Sequence, residues 1–441
     1  MMKALPAFFV LATLVFPPSS LAADPHTGHH PHHERPQLEL HYPLSASECR
    51  TNEVWDAGMA MCMPLPTEGM PLKMAMLRGN GFAAGIFQQG PRGRDAFAAP
   101  GMVMLDLGRT WGSRHYLNLD IMATLEKWTL PSAGYPELLQ VGEHDTDGNP
   151  YLDAQHPHSS PLMGLTLSDT IRLDTGGSKD HLKIFFAPRG ETTDGPIAFM
   201  HRPTGIANPD APLGHHIGQD VGHITSTVIG ASLQLGDTRI EASTFNGSEP
   251  EPTRVDLPIG APNSVALRLI QDFSPSMTAM VSGAYVREPE HDDPTLPFVG
   301  RFSASLQNRT GFGDGWRLHH ALVAGLITKY DRAATLLSFL DETWLHRGAS
   351  RIFTRLELLQ RTPAQLGIPA IPEQDSGRWL AAGTLGFTRA LTPFDGGELA
   401  LGGSITKDLL PGEFIGTYGG NPWSGKIFLQ LTGMKMWHSQ E

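Results

Sequence analysis

The chain has 441 residues, of which 18 % are charged and 8 % aromatic, and a formal net charge of −12 at pH 7. This acidic balance indicates no basic face for nucleic acid. After the amino-terminal apolar segment, no stretch approaches the roughly 18 consecutive apolar residues of a membrane-spanning helix. The short alternating strands of a membrane β-barrel are not excluded by this test, and 48 glycines and 36 prolines suit many turns between many strands.

Residues 1–22 have the features of a secretory signal peptide. Lys3 supplies the positive charge, residues 5–16 (LPAFFVLATLVF) form the apolar centre, and residues 20–22 (SLA) fit a small-residue cleavage site. The apolar run is too short to cross a bilayer as a helix. The sequence therefore predicts an exported protein.

Residues 23–41 form a histidine-rich tract among Pro, Gly and Asp, which predicts a flexible tail. Neutral imidazole is a good ligand for Cu, Ni and Zn, so the tract is a candidate metal-binding segment. The predicted ligands are His26, His29, His30, His32 and His33. The alternative is a polar linker whose metal affinity is incidental.

Residues 49–76 combine methionines with the two cysteines of the chain, Cys49 and Cys62. Thioether and thiolate sulfurs favour Cu(I), which makes Met59, Met61, Met63 and both cysteines candidate soft-metal ligands. In an exported protein a disulfide bond between the cysteines is the first interpretation and a metal-binding thiol pair the second. Prolines break any helix here, so the alternative to a metal site is a disulfide-closed, methionine-packed plug or cap.

From Gly79 onward apolar and polar residues alternate with period two. In residues 115–125 (HYLNLDIMATL), Leu117, Leu119 and Ile121 fall on one face and polar side chains on the other. The same alternation repeats many times along the chain, and turn residues separate the repeats. This pattern predicts strands joined largely by hairpins.

Two late segments indicate a membrane barrel. Residues 351–361 (RIFTRLELLQR) place Ile352, Leu356 and Leu358 on one face and arginines on the other, which is typical of apolar-out, polar-in strands. Residues 426–437 (KIFLQLTGMKMW) alternate in the same way and end on an aromatic residue, as outer-membrane barrels do. A soluble protein of two β-sandwiches is the alternative.

We therefore predict an all-β protein, a transmembrane antiparallel β-barrel of about 14–16 strands. The predicted organisation is a signal peptide at 1–22, a His-rich tail and Met/Cys-rich segment at 23–76, and an outer-membrane barrel at 77–437. Long histidine-containing loops are expected at about 126–222.

The strongest candidate site lies in two irregular, Gly- and Pro-rich segments. His201, His215, His216 and His223 fall in the stretch 195–225, and an earlier loop contains His156 and His158. If these six imidazoles converge, they form a metal site at the mouth or in the lumen of the barrel. The alternative is a hydrogen-bonded network that fixes inward-folded loops, formed by Asp153, His156, Arg202, Asp210 and Asp220.

Two other kinds of site have weaker support. A calcium loop at 145–153 lacks the glycine and the closing glutamate in the required positions. No catalytic motif of the GxSxG, HExxH, CxxC, P-loop or dinucleotide type is present, so we predict no enzyme. The remaining catalytic hypothesis is a hydrolase at the barrel rim that uses His201, Asp220, His223 and Ser226.

Six motifs together resemble an uncharacterised family of bacterial outer-membrane barrels that is often encoded beside copper and other heavy-metal resistance genes. They are GNGFAAGIFQQGPRG (79–93), YPELLQVGE (135–143), DAQHPH (153–158), FMHRPTG (199–205), PLGHHIGQDVGHIT (212–225) and FNGSEPEP (245–252). Beyond residue 252 only barrel-like patterning matches.

The resemblance and the candidate ligands imply an outer-membrane protein for copper or other heavy-metal binding and tolerance, with copper as its ion. The expected partners are outer-membrane lipid, transition-metal ions and metal-efflux components. The alternative is a general porin or structural barrel whose histidines stabilise its loops.

Overall fold

The computed structural model describes residues 53–56, 61–64, 72–144, 148–177, 179–220, 222–289, 297–329 and 335–440. The first two strands, β1 (Glu53–Asp56) and β2 (Met61–Pro64), form a small antiparallel sheet. The wall strands of the first half are β3 (Leu72–Gln88), β4 (Ala96–Ala98), β5 (Gly101–Trp111), β6 (His115–Thr124), β9 (Leu162–Arg172), β10 (His181–Gly190), β11 (Thr225–Leu235), β12 (Thr238–Asn246) and β13 (Ser264–Ser274). Those of the second half are β14 (Met277–Arg287), β15 (Phe298–Phe312), β16 (Trp316–Lys329), β17 (Thr335–Arg347), β18 (Ser350–Arg361), β19 (Arg378–Phe394), β20 (Gly397–Leu409) and β21 (Trp423–Gln440).

These wall strands form one closed antiparallel barrel. The short β4 and the longer β5 both pair with β3 and together occupy one wall position, so the barrel has 16 strands. Closure is made by β21 and β3, whose register runs from Ser424 opposite Gln88 to Gln440 opposite Leu72. Closure leaves no unpaired sheet edge. The prediction of an antiparallel barrel is confirmed, and the count lies within the predicted range.

Side chains alternate between the exterior and the lumen in the way the sequence predicts. In β18, Ile352, Leu356 and Leu358 are 38 %, 58 % and 46 % exposed on the exterior, while Arg351 and Arg355 are buried on the lumen side. An apolar exterior around a polar interior is the pattern of a barrel that faces lipid. Among the described residues, no helix has the length and hydropathy needed to cross a membrane.

The two ends of the barrel differ. Short turns such as Gly236-Asp237 join the strands at the end where β3 begins and β21 finishes. The connections at the opposite end are long, and two of them, residues 125–161 and 191–224, separate β6 from β9 and β10 from β11. The region predicted as long loops, about 126–222, therefore contains two wall strands. The Gly, Pro and polar residues that flank these two strands conceal the alternation of apolar and polar residues within them.

The two long connections enter the lumen and fill part of it. The first contains α1 (Glu126–Thr129) and a hairpin of β7 (Tyr135–His144) and β8 (Pro150–Gln155), and the second, the lumen segment 191–224, contains a π-helical turn (His215–Gln219). A second helix, α2 (Gly412–Tyr418), lies between β20 and β21. Leu138 of the hairpin and Leu213 and Ile217 of the lumen segment share a buried cluster with Leu359 of the wall. The apolar core of the described chain thus lies inside the barrel.

Candidate functional site

Five of the six predicted imidazoles converge inside the barrel. We call His156, His158, His215, His216 and His223 the imidazole cluster. The ring centroid of His215 lies 4.5 Å from that of His216 and 4.9 Å from that of His223. The ring centroid of His156 lies 5.2 Å from that of His158 and 5.6 Å from that of His216. The centroids of His158 and His223 are 5.6 Å apart. The connection after β8 supplies His156 and His158, and the lumen segment supplies the other three.

Two groups within the cluster have the geometry of metal-ligand sets. The ligand atoms of His156, His215 and His216 lie within 4.8 Å of one another, as do those of His215, Asp220 and His223. Donors around a tetrahedral ion with bonds of about 2.0–2.1 Å are roughly 3.3 Å apart, so binding requires these side chains to move inward. His215 belongs to both groups and is the centre of the cluster.

His156 and His215 are buried without hydrogen bonds. No ring nitrogen of either side chain has a hydrogen-bond partner among the described residues, although His156 is only 3 % exposed and His215 0 %. The Asp220 carboxylate lies 3.9 Å from His215 Nδ1, beyond hydrogen-bond distance. A buried polar group without a partner costs about 1–3 kcal/mol. An ion or water that contacts these nitrogens removes that cost.

Burial also keeps the central imidazoles neutral. Desolvation, reinforced by the neighbouring imidazoles, holds the pKa of His156 and of His215 well below the usual range. Burial lowers the pKa of His216 to about 4. His158 differs: burial lowers its pKa, but the Glu126 carboxylate 2.8 Å from Nδ1 outweighs this effect, so the pKa is raised. Neutral imidazole is the form that binds metal.

His201 lies outside both ligand sets. Its Nδ1 is 2.8 Å from the Glu191 carboxylate, and its side chain lines a different cavity. Burial raises the pKa of Glu191, but the charge and hydrogen bond of His201 prevail and lower it to about 2. The pair thus joins the start of the lumen segment to the turn that contains His201. Six histidines were grouped from the sequence, and the structure brings five of them together, without His201.

A buried ion-pair network holds the lumen segment against the wall. Glu342 of β17 accepts hydrogen bonds from Arg202 at 3.0 Å, from Thr204 at 3.0 Å and from Arg355 Nε at 3.0 Å. Lys426 of β21 lies 2.7 Å from Asp210. The inward face of each strand follows from the period-two pattern, but the pairing of these charges does not. Glu342 and Lys426 were therefore not identified from the sequence as residues that hold the lumen segment.

The predicted loop-fixing network is correct for some residues and not for others. Arg202 and Asp210 belong to the buried network, and Asp220 Oδ2 accepts a hydrogen bond from the Phe199 backbone at 3.2 Å. Asp153 accepts hydrogen bonds from the Leu139 backbone at 2.8 Å and from a tyrosine hydroxyl at 2.9 Å. His156 makes no hydrogen bond among the described residues, so its predicted place in the network is wrong.

Two cavities adjoin the lumen segment. A cavity of about 90 Å³ is lined by His158, His215 and His223 of the imidazole cluster, together with Met163 and Met200. A larger cavity of about 200 Å³ lies along the wall from β3 to β13 and has charged residues of both signs in its lining. The lumen is therefore filled in part and retains space beside the wall.

Most of the amino-terminal candidates cannot be placed. His26, His29, His30, His32, His33, Cys49 and Met59 lie outside the described residues. Met61, Cys62 and Met63 lie in β2, where Cys62 is disulfide-bonded. The disulfide interpretation therefore holds for Cys62. A disulfide-bonded cysteine offers no thiolate to a metal ion.

Ser226 does not form a nucleophile–base pair. Its Oγ has no hydrogen-bond partner among the described residues, although His223 and Asp220 lie nearby in the sequence. Nucleophilic catalysis requires the base within hydrogen-bond reach of the nucleophile. The geometry gives the rim-hydrolase hypothesis no support.

No protein-family model matches the chain, and the comparison with curated proteins finds no relative. Among solved structures, the chain is similar to OmpF of Salmonella typhi in complex with daunomycin, with a TM-score of 0.51, 6 % identity, and coverage of 83 % of this chain and 98 % of that chain. An anion-selective porin from Comamonas acidovorans has a TM-score of 0.49 and 12 % identity, with 82 % and 99 % coverage. OpdK of Pseudomonas aeruginosa with vanillate has a TM-score of 0.41 and 11 % identity, with 84 % and 100 % coverage.

The likeness to OmpF establishes the fold: this chain is a porin-like barrel. At such low identity the likeness carries no information on solute or ligand. None of these comparisons connects the chain to copper or to heavy-metal resistance.

Proposed function

We propose that this chain is an outer-membrane barrel that binds a transition-metal ion at the imidazole cluster within its lumen. The observation that carries the proposal is the pair His156 and His215, which lie buried in one ligand set with no hydrogen bond to any of their four ring nitrogens among the described residues. A filled barrel interior normally satisfies its polar groups. A bound ion would give these nitrogens a partner.

The chemistry of the ligands favours copper or zinc. Imidazole suits Cu(II), Zn(II) and Ni(II), and at a given site Cu(II) binds most tightly of the divalent ions. The predicted histidine and methionine ligands of residues 23–63 would act as a first capture site, and the imidazole cluster as a second. Copper tolerance would follow if capture removes the ion from the periplasm.

The apolar exterior and the predicted signal peptide support outer-membrane placement. Val265, Leu267 and Leu269 of β13 project from the exterior, as do the apolar residues of β18. A surface of this kind is stable against lipid and aggregates in water. Lipid would therefore be the partner of the exterior, and membrane fractionation of the expressed protein tests this placement.

The metal proposal is tested by titrating the purified full chain with Cu(II) and Zn(II) by calorimetry. His215→Ala should lose one tight site per chain, because His215 belongs to both ligand sets. His115→Ala is the matched control, since this half-exposed histidine lies at the opposite end of the barrel beside Asp169. Both variants keep residues 23–63, so metal binding by that segment contributes equally to the two titrations. Identical titration of the two variants overturns the proposal.

A second candidate, solute passage, is favoured by the 200 Å³ cavity beside the wall. Lys183, Glu241 and Arg268 are among the charged groups in its lining, and such groups suit small charged solutes. The barrel would then conduct along one side of the lumen segment. Single-channel recording in a planar bilayer tests this function. A barrel that inserts but shows no conductance above the leak of the bilayer excludes it.

A further inference from the structure

We propose that one side of the lumen wall carries a line of thioether sites for a soft monovalent cation, Cu(I) or Ag(I), leading to the imidazole cluster. This deepens the proposed function and rests on it for the destination of the path. Nothing in the comparisons addresses these methionines.

The first group of methionines lies where β3 begins and β21 finishes. Met74 and Met76 of β3 pack with Met434 and Met436 of β21, and Tyr116 completes the cluster. The two strands are neighbours at the barrel closure, with Met436 directly opposite Met76. The group therefore occupies the end of the barrel that has short turns.

The second group lies further along the same wall. Met104 of β5, Met122 of β6 and Met163 of β9 are buried together, and Met102 and Met200 pack against them. Met200 belongs to the lumen segment, so this group spans the gap between wall and segment. Among the described residues from Leu72 onward, the only methionines outside the two groups are Met277 and Met280.

Two separate cavities lie along the line, and they share no lining residue. The larger cavity is lined by Met76 of the first group and by Met104 and Met122 of the second. The smaller cavity is lined by Met163 and Met200 and also by the imidazole cluster. An ion that leaves the first group therefore meets thioethers along the wall before it meets imidazoles.

Two sulfurs already accept polar contacts, which distinguishes them from hydrocarbon filler. Arg78 Nη2 donates to Met104 Sδ at 3.0 Å, and the Tyr116 hydroxyl donates to Met74 Sδ at 3.8 Å. The positively charged Arg78 guanidinium therefore contacts the thioether sulfur of Met104. A metal ion at this sulfur would displace Arg78.

Two acidic side chains provide oxygen atoms beside the thioethers of the larger cavity. Asp106 of β5 faces Asp120 of β6 across the pair, and both line the larger cavity beside Met104 and Met122. Asp106 is 5 % exposed, and its Oδ2 has no hydrogen-bond partner among the described residues. Thioethers select Cu(I) and Ag(I), whereas Mg²⁺ and Ca²⁺ require a shell of oxygens.

Ag(I) titration of the full chain in chloride-free detergent solution tests the line, because Ag(I) is a redox-inert probe of Cu(I) sites. The variant Met104→Leu/Met122→Leu should lose at least one tightly bound Ag(I) per chain or bind it at least tenfold more weakly. Met277→Leu/Met280→Leu is the matched control with the same change in composition, and it should titrate as the unmodified chain does. Equal Ag(I) binding by the two double variants overturns the inference.

Cu(II) titration of the same variants separates this inference from the proposed function. Met104→Leu/Met122→Leu should keep the Cu(II) site that His215→Ala removes. If Cu(II) binding does not depend on His215 but Ag(I) binding depends on the wall methionines, the proposed site is wrong and the thioether line stands. Heat-dependent gel mobility reports barrel folding. Should the double variant not fold, Met104→Leu and Met122→Leu are titrated singly and judged by the same criterion.

Discussion

Removing the charge of Glu342 should destabilise the attachment of the lumen segment to the wall. This carboxylate is 1 % exposed and accepts hydrogen bonds from Arg202, Thr204 and Arg355. Glu342→Gln keeps the shape but removes the carboxylate that is ion-paired with two buried guanidinium groups, those of Arg202 and Arg355. Breaking a buried ion pair from one side costs about 3–5 kcal/mol. We therefore expect the free energy of unfolding to fall by about that amount.

The adjacent residue provides the control. Asp341 lies on the exterior face of the same strand, 43 % exposed, with its carboxylate 3.0 Å from His320 Nε2. Asp341 projects away from the lumen, so Asp341→Asn should not release the lumen segment from the wall. Both variants differ from the unmodified chain by one carboxylate on β17.

Equilibrium unfolding in urea, followed by gel mobility and tryptophan fluorescence, measures both changes. Limited chymotrypsin digestion adds a local readout, because Leu213 is buried and becomes a cleavage site only when the lumen segment leaves the wall. A loss below about 1 kcal/mol in Glu342→Gln, the level of a surface pair, would falsify the view that this network anchors the segment.

Three further changes test the placement of the π-helical turn and its histidines. Gly325→Ala should lower the unfolding free energy by about 1–3 kcal/mol through overpacking, because the added Cβ lies 1.9 Å from Ile217 O. The same change should weaken Cu(II) binding in calorimetry. Unchanged affinity would argue against a link between the position of the turn and metal binding. Ser338→Ala should cost about 1 kcal/mol in urea unfolding, since its hydroxyl donates to the same Ile217 oxygen at 2.7 Å, and no loss would mean that water replaces it. His215→Leu should leave the metal-free protein as stable as before or more stable, since two unpartnered nitrogens are removed, and should abolish the stabilisation of about 2.7 kcal/mol expected at a metal concentration 100 times Kd. A metal-induced shift in Tm equal to that of the unmodified chain would contradict the site.

The barrel is predictable from the sequence because its determinants are local. Lumen and lipid impose opposite polarities on successive residues, so a segment such as 351–361 reveals both faces without knowledge of its neighbours. The strands β9 and β10 fall inside the range of about 126–222 in which long loops were expected. They are bounded by Gly, Pro and polar residues, and the segment around them was interpreted as loop.

The site is only partly predictable because its contacts join distant positions. The histidines were identified from their density, but nothing local distinguishes His215, at the centre of the cluster, from His201, which pairs with Glu191 instead. The pairing of Arg202 with Glu342 likewise depends on the path of the lumen segment across the barrel. The methionines carried a usable signal: pairs two residues apart, as in 74/76, 102/104 and 434/436, share one face of a strand.

The seam between β3 and β21 also bears on how the chain reaches this structure. These are the first and last strands of the barrel, so their pairing closes the longest loop in the fold and carries the largest entropy of loop closure. Such a contact order makes the seam a late and slow event in folding. A nascent chain that lacks β21 would expose two long strand edges, and its survival until synthesis ends would depend on factors that shield them.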